Sequence, residues 1–171
     1  MHAAAVIIEA SSEAQFAAAK TLMIEYRDQA LAEDYGIGGG GLNGELAVFP
    51  GPYARPNGLL LLAVLDGQPC GCLALRKISN NHGEVMRMYV QPHARGKGLA
   101  EKLMRTLIAK ASTMGYKALF LDSMKRFTAA HKLYEKLGFI YCDPYSINTT
   151  DAMKTHMIFM RLGLNPSDNT A

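Results

Sequence analysis

Between residues 84 and 121 a strand-like run, a glycine-bearing turn, a helical pattern and a second apolar run follow one another without a break. The segment 84–90 alternates strand-forming residues, and Leu99, Leu103, Met104, Leu107, Ile108 and Ala111 then recur on one helical face. Gly115 is placed to end that helix, and 118–121 reads as a buried strand. A strand that returns through a helix must run parallel to its partner. The flanking text demands the opposite pairing. Runs 59–65 and 70–77 meet at Asp66-Gly67, a strong hairpin signal, and the turn 80–83 leads straight back into 84–90. After a helix expected over 128–137 and closed by Gly138, runs 139–142 and 155–161 complete an antiparallel pair. The expected fold is therefore α/β, with a mixed, mainly antiparallel central sheet that contains one parallel pair and is flanked by helices.

The chain before this unit adds a strand over 6–8 and a helix opened by Ser12 with Gln15 three residues on, a capping-box spacing. Phe16, Ala19, Met23, Tyr26 and Ala30 recur at helical spacing and carry that helix to about Glu33. The stretch 35–57 is rich in Gly and Pro. No helix opens behind Gly38 to Gly41, so it reads as a flexible surface segment rather than a phosphate loop. With 171 residues and 49% hydrophobic content, one domain over 1–171 would bury roughly 70% of its unfolded surface; 163–171 reads as a frayed tail.

Composition excludes several function classes. The formal net charge of +3 is small and the basic residues are scattered, which argues against a nucleic-acid stripe or a polybasic membrane patch. The three cysteines, Cys70, Cys72 and Cys142, form no disulfide framework and, with the histidines, show no metal-ligand spacing, so no metal site is expected. Cys70 and Cys72 sit two apart in a strand and are expected on one face as small core residues. The apolar run 59–65 is too short to span a bilayer, and the N-terminal run lacks a basic leader, so the expected location is cytoplasmic.

The turn before the helix reads Arg95-Gly96-Lys97-Gly98-Leu99-Ala100. A diphosphate on a helix N-terminus needs free backbone N–H groups and no side chain in its path. Gly96, Gly98 and Ala100 offer that open backbone, and Arg95 and Lys97 offer positive charge. These six residues taken alone fit an ordinary strand-to-helix turn equally well.

Other parts of the chain bear on that choice. Over about residues 9–160 the chain resembles the GNAT superfamily of acyl-CoA N-acyltransferases. Arg95, Gly98 and Ala100 match its Q/R-x-x-G-x-G/A pyrophosphate motif at the strand-to-helix junction, and Leu133-Tyr134-Glu135-Lys136-Leu137-Gly138-Phe139 is similar to its second signature. Glu84 lies six residues before Val90, where many members place a general base. Glu45-Leu46, Pro50-Gly51, Tyr53, Gly71-Cys72, 87–90 and Pro144-Tyr145 resemble one subset of small bacterial members. Phe127 departs from the pattern, since many members carry asparagine there.

The resemblance implies that the fourth and fifth strands splay apart around the pantetheine arm of acetyl-CoA. Met88, Tyr89 and Val90 would hold the arm, and Arg95, Gly96, Lys97, Gly98, Leu99 and Ala100 the pyrophosphate, with Phe127 beside them. A backbone N–H near Met88 would face the thioester carbonyl, where negative charge develops. Glu84 would act as base through water, and Tyr134 as acid toward the sulfur, a phenol being protonated at neutral pH. For each a plainer reading stands beside this one: Tyr134 as a core aromatic, Glu84 as a solvated residue at a strand start.

Arg87, alternating with Glu84, should point to the opposite face of a regular strand, to contact the cofactor or form a structural ion pair. His93 and His131 read as solvated residues. Tyr53 and Tyr145 are candidates for an aromatic wall around the acceptor or for loop packing.

The implied function is an acetyl-CoA-dependent N-acetyltransferase that lets a primary amine of a small molecule or peptide attack directly in a ternary complex, with a homodimer as a possible assembly. The rival is a catalytically silent acyl-CoA-binding sensor, against which Glu84 and Tyr134 both argue. A nucleotide-binding domain is disfavoured because no Ser or Thr follows Gly96-Lys97-Gly98.

Overall fold

The computed structural model describes residues 5–30 and 41–165. Seven strands, β1 (Val6–Glu9), β2 (Leu59–Leu65), β3 (Gln68–Lys77), β4 (His82–Val90), β5 (Ala118–Met124), β6 (Ile140–Tyr141) and β7 (Met157–Gly163), form one sheet. Its order is β1-β2-β3-β4-β5-β7-β6. β4 and β5 pair in parallel and every other pair is antiparallel, as the crossover and the hairpins require. The helices are α1 (Glu13–Glu25), α2 (Leu42–Ala47), α3 (Leu99–Thr113), α4 (Thr128–Lys136) and α5 (Asp151–His156).

Local chemistry sets most boundaries. Ser12 caps α1, and Gln15 returns its side chain to the Ser12 N–H at 3.1 Å. Asp66 and Gly67 both take positive φ, 52° and 76°, so the β2–β3 turn has the twist a two-residue hairpin needs. β2 is apolar throughout because both faces are covered: Leu59, Leu61 and Ala63 pack toward α3, while Leu60 and Leu62 pack toward α1 and α2.

Two bulges change which way side chains point. In β3, Gly71 faces Ala63 and Pro69 faces Val64, so Cys70 is the extra residue; it packs toward α3 while Cys72 packs toward α1. The expected shared face of the two cysteines is thereby corrected. In β4, Met86 and Tyr89 oppose Ala74 and Cys72, one residue too many, and Arg87 adopts φ 57°. That bulge puts Tyr89 on the same side as Met86, toward α1, and Met88 on the side of α3.

Several expectations need correction. The α-helical part of α1 ends at Glu25 and continues as a π turn over Tyr26–Ala30; the expected extension to Glu33, and Gly38 to Gly40, lie outside the described residues. The 41–57 part of the supposed flexible segment lies mostly at the surface but is anchored: α2 forms there, and Leu42 and Tyr53 are 0% and 1% exposed. The helix α5 was not anticipated. Gly163 pairs with Ala118, and the Leu164 N–H bonds the Lys117 carbonyl at 2.8 Å, so the expected tail begins no earlier than 165; residues 166–171 lie outside the described part.

β4 and β5 stay together only over His82–Ala118, Gly83–Leu119 and Glu84–Phe120. Beyond Glu84 β5 keeps its ladder to β7 as far as Met124, while β4 keeps only its partner β3. The sheet therefore splits, and one edge of β4 is left without a strand among the described residues.

Candidate active site

The split holds a cavity of about 820 Å³. Met88, Tyr89 and Val90 line it from β4, Leu121, Asp122 and Ser123 from β5, and Phe127 and Tyr134 from the start and body of α4. Arg95 and Ala100 border it at the end where α3 begins.

Gly98 takes φ 72° as the N-cap of α3, and among the described residues no side chain caps the helix. The first-turn N–H groups are thus left to solvent or to a ligand. A Cβ built on Gly96 or Gly98 would meet nothing within 4 Å. Lys97 is exposed, and Leu99 is only 2% exposed in the core beneath, so Leu99 can offer a ligand only its backbone. Arg95 donates from Nε to the Val90 carbonyl at 2.9 Å and lies 6.0 Å from the Tyr89 ring centroid, which folds its charge back along the cavity rim.

α4 turns an apolar face to the core, and Tyr134 on that face is 6% exposed, 5.9 Å from the Phe139 ring. Burial, with smaller effects from Tyr26 and Asp122, pushes its phenol well above the usual range, so it stays protonated. Among the described residues its hydroxyl makes no hydrogen bond. Phe127 stacks under the Arg126 guanidinium at 4.5 Å and presents an apolar wall. His131, expected to be solvated, is 7% exposed and shares a 3.1 Å hydrogen bond with Ser123. His93 is exposed, as expected.

Glu84 is 3% exposed and does not line the cavity. Its Oε2 accepts from Arg76 Nε at 2.6 Å and its Oε1 from Tyr145 OH at 2.8 Å. Arg76 also reaches Glu45 at 3.5 Å, and Arg87 clamps both Glu45 oxygens at 2.9 and 2.8 Å. Tyr53 OH donates to the same carboxylate at 2.6 Å. The bulge brings Arg87 into this network beside Glu84 rather than to the opposite face, and makes it a structural ion pair. Tyr53 is wholly buried and is no wall for a substrate; Tyr145 is half-buried, its ring 5.0 Å from Phe120.

Asp122 escaped the reading of the sequence, which ended β5 at Leu121. It lines the cavity half-buried, and among the described residues its carboxylate accepts no hydrogen bond. Burial first, then the Glu84 charge, push it up to about 6 against the opposing pull of Arg87 and Arg76. The available signal was alternation: Phe120, Asp122 and Met124 share one face of β5, and Asp122 is the one charged residue of that strand.

Among the described residues no group of three His, Cys, Asp or Glu could hold a metal ion, and no helix is long and apolar enough to cross a membrane.

The sequence profile of the acetyltransferase (GNAT) family matches residues 19–139. The uncharacterized N-acetyltransferase YsnE of Bacillus subtilis is 38% identical over 78 residues, 44% of this chain and 52% of that protein. The N-acetylaspartate synthetase of Danio rerio is 40% identical over 100 residues, 57% of this chain and 36% of that protein. The aligned region thus spans about half of the first relative and a third of the second. The crystal structure of a GNAT-family acetyltransferase from Staphylococcus aureus has the same fold, with a TM-score of 0.75 at 18% identity over 95% of this chain and 100% of that one.

Proposed function

The chain belongs to the acetyltransferase (GNAT) family, and from that premise we propose that it transfers an acetyl group from acetyl-CoA to a primary amine of a small molecule or peptide. One observation carries the reading: the cavity between the diverging β4 and β5 runs from an uncapped helix N-terminus to a buried, protonated Tyr134.

The residues fit such a cosubstrate. Backbone N–H groups of Gly96, Gly98, Leu99 and Ala100 hold the diphosphate with no Cβ in the way at either glycine, and Arg95 and Lys97 add charge. The free edge of β4 at Met88, Tyr89 and Val90 offers backbone partners for the pantetheine amides, and Phe127 packs beside them. An N–H near Met88 stabilises the negative charge that develops on the thioester oxygen. Tyr134 donates its proton to the departing sulfur. A primary amine arrives mostly protonated at neutral pH and must lose a proton to attack. Asp122 on the cavity wall, with the buried Glu84 charge near it, supplies the charge for that step.

Similarity to the N-acetylaspartate synthetases makes α-amino acids, aspartate among them, the first acceptors to try. The test is a panel of amines, amino acids and short peptides incubated with acetyl-CoA while free thiol is measured. Acceptor-dependent thiol release supports the reading. Tight CoA binding with no release for any acceptor would favour an acyl-CoA sensor instead.

A further inference from the structure

We propose that Asp122, rather than Glu84, takes the proton from the acceptor amine, with Glu84 as the fixed charge beside it. The proposal rests on the acetyltransferase reading of this cavity.

The geometry separates the two carboxylates. Glu84 has one oxygen on Arg76 and the other on Tyr145, is nearly sealed from solvent, and does not border the cavity. Each of its oxygens is already engaged by a short hydrogen bond, one of them from a cation. Asp122 borders the cavity and has no hydrogen-bond partner among the described residues. Glu84 pairs with Phe120 across the last rung of the β4–β5 ladder, and Asp122 is two residues further along β5, on the same face, where the strands have parted. Asp122 is therefore the first acidic side chain of β5 inside the split.

Charge counting points the same way. The groups that face Asp122 are Glu84 and Arg87 from β4, Arg76 from β3, Tyr134 from α4 and Tyr145 from the segment before α5. Arg87 is spent on both oxygens of Glu45, and Arg76 is divided between Glu84 and Glu45. Two guanidiniums thus serve two carboxylates, and Asp122 is the third acid, with no cation of its own among the described residues. An incoming ammonium supplies one. The shift of Asp122 to about 6 then suits its task, since it is ionised at neutral pH yet more basic than an ordinary carboxylate.

Asp122 takes one proton from the ammonium, and the freed nitrogen lone pair attacks the thioester carbonyl carbon. The C–N bond forms, the C–S bond breaks, and Tyr134 gives its proton to the leaving sulfur. The nitrogen's second lost proton restores the Tyr134 phenol. Asp122 releases its own to solvent, so the ammonium and thioester become amide, thiol and one free proton.

The experiment compares wild type, Asp122→Asn, Asp122→Glu and Glu84→Gln. It measures kcat/KM from about pH 5 to 9 at saturating acetyl-CoA, with CoA affinity by calorimetry in parallel. Wild type should lose activity as pH falls through about 6. Asp122→Asn should be slower by roughly 10²- to 10⁴-fold at neutral pH and lack that limb, with CoA affinity unchanged; Asp122→Glu should recover part of the rate and the limb. Glu84→Gln should keep the limb but move it to lower pH, because a neighbouring negative charge is gone. An active Asp122→Asn with the wild-type profile, or loss of the limb in Glu84→Gln alone, would overturn the assignment. Failure of the reading beneath it has a different signature: a wild type that binds CoA but acetylates no amine.

Discussion

Arg76 holds Glu84 by a 2.6 Å bond from Nε to Oε2 and reaches on to Glu45 at 3.5 Å, so one guanidinium ties β3 to β4 and α2. The Glu84 side chain is 4% exposed against 33% for Arg76, which makes the carboxylate the costly partner to strand. Arg76→Gln should destabilise the fold by about 1–3 kcal/mol, below the full penalty for a buried pair because Arg76 is partly wet. The double variant Arg76→Gln/Glu84→Gln should recover much of that loss. Urea denaturation of wild type and the three variants gives the coupling; purely additive losses would show that the two side chains act independently.

The Tyr134 hydroxyl has no hydrogen-bond partner among the described residues while its ring packs on Phe139. Tyr134→Phe should therefore keep the melting temperature and the CoA affinity and lower kcat by roughly 10²- to 10⁴-fold. A wild-type kcat would leave Tyr134 a core aromatic and nothing more.

Gly98 and Gly115 make a matched pair at the two ends of α3, with φ 72° and 89° and open space at each Cβ position. Alanine at either should cost about 1–2 kcal/mol of backbone strain. Only Gly98→Ala should also weaken CoA, by tenfold or more, because only there does a methyl group meet the diphosphate. Arg95→Ala should weaken CoA by roughly 1.5–3 kcal/mol, as for a charged hydrogen bond. Calorimetry on the three variants decides, and equal CoA affinity in the two glycine variants would remove the diphosphate from that turn.

Asp122 also sets a pH signature on stability. Its folded-state value, near 6, lies above the ordinary carboxylate value of 3.8. Its contribution to stability is fully present below pH 4 and is lost as pH rises through 6. At pH 8 Asp122→Asn should therefore be more stable than wild type by about 1–3 kcal/mol. At pH 5 the gap should shrink. Melting curves at the two values check this, and a gap that does not change with pH would mean that Asp122 is not held in a charge-averse place.

What the sequence by itself determined was whatever depends on neighbours a few residues apart. The Ser12–Gln15 cap, the Asp66-Gly67 hairpin and the glycines that end α3 and α4 are such features, and so is the strand-helix-strand crossover that makes one pair parallel. The glycine turn before α3 and the tyrosine signature on α4 were legible for the same reason. The tertiary structure alone decided which way strand residues face once a bulge intervenes. One extra residue at Cys70 and another at Arg87 reverse the period-two alternation, because register is set by the partner strand and not by the chain's own pattern. It alone decided that the 41–57 segment is anchored at Leu42, Leu46 and Tyr53, which find their partners on the sheet and on α1. It also divided the acids of the candidate site. Glu45 meets Arg76 and Arg87 across 31 and 42 residues and Glu84 meets Arg76 across the β3–β4 turn, pairings that neutralise Glu45 and Glu84 while leaving Asp122 without a cation among the described residues. Long-range charge pairing has no period along the chain, so only the folded sheet could single out that carboxylate.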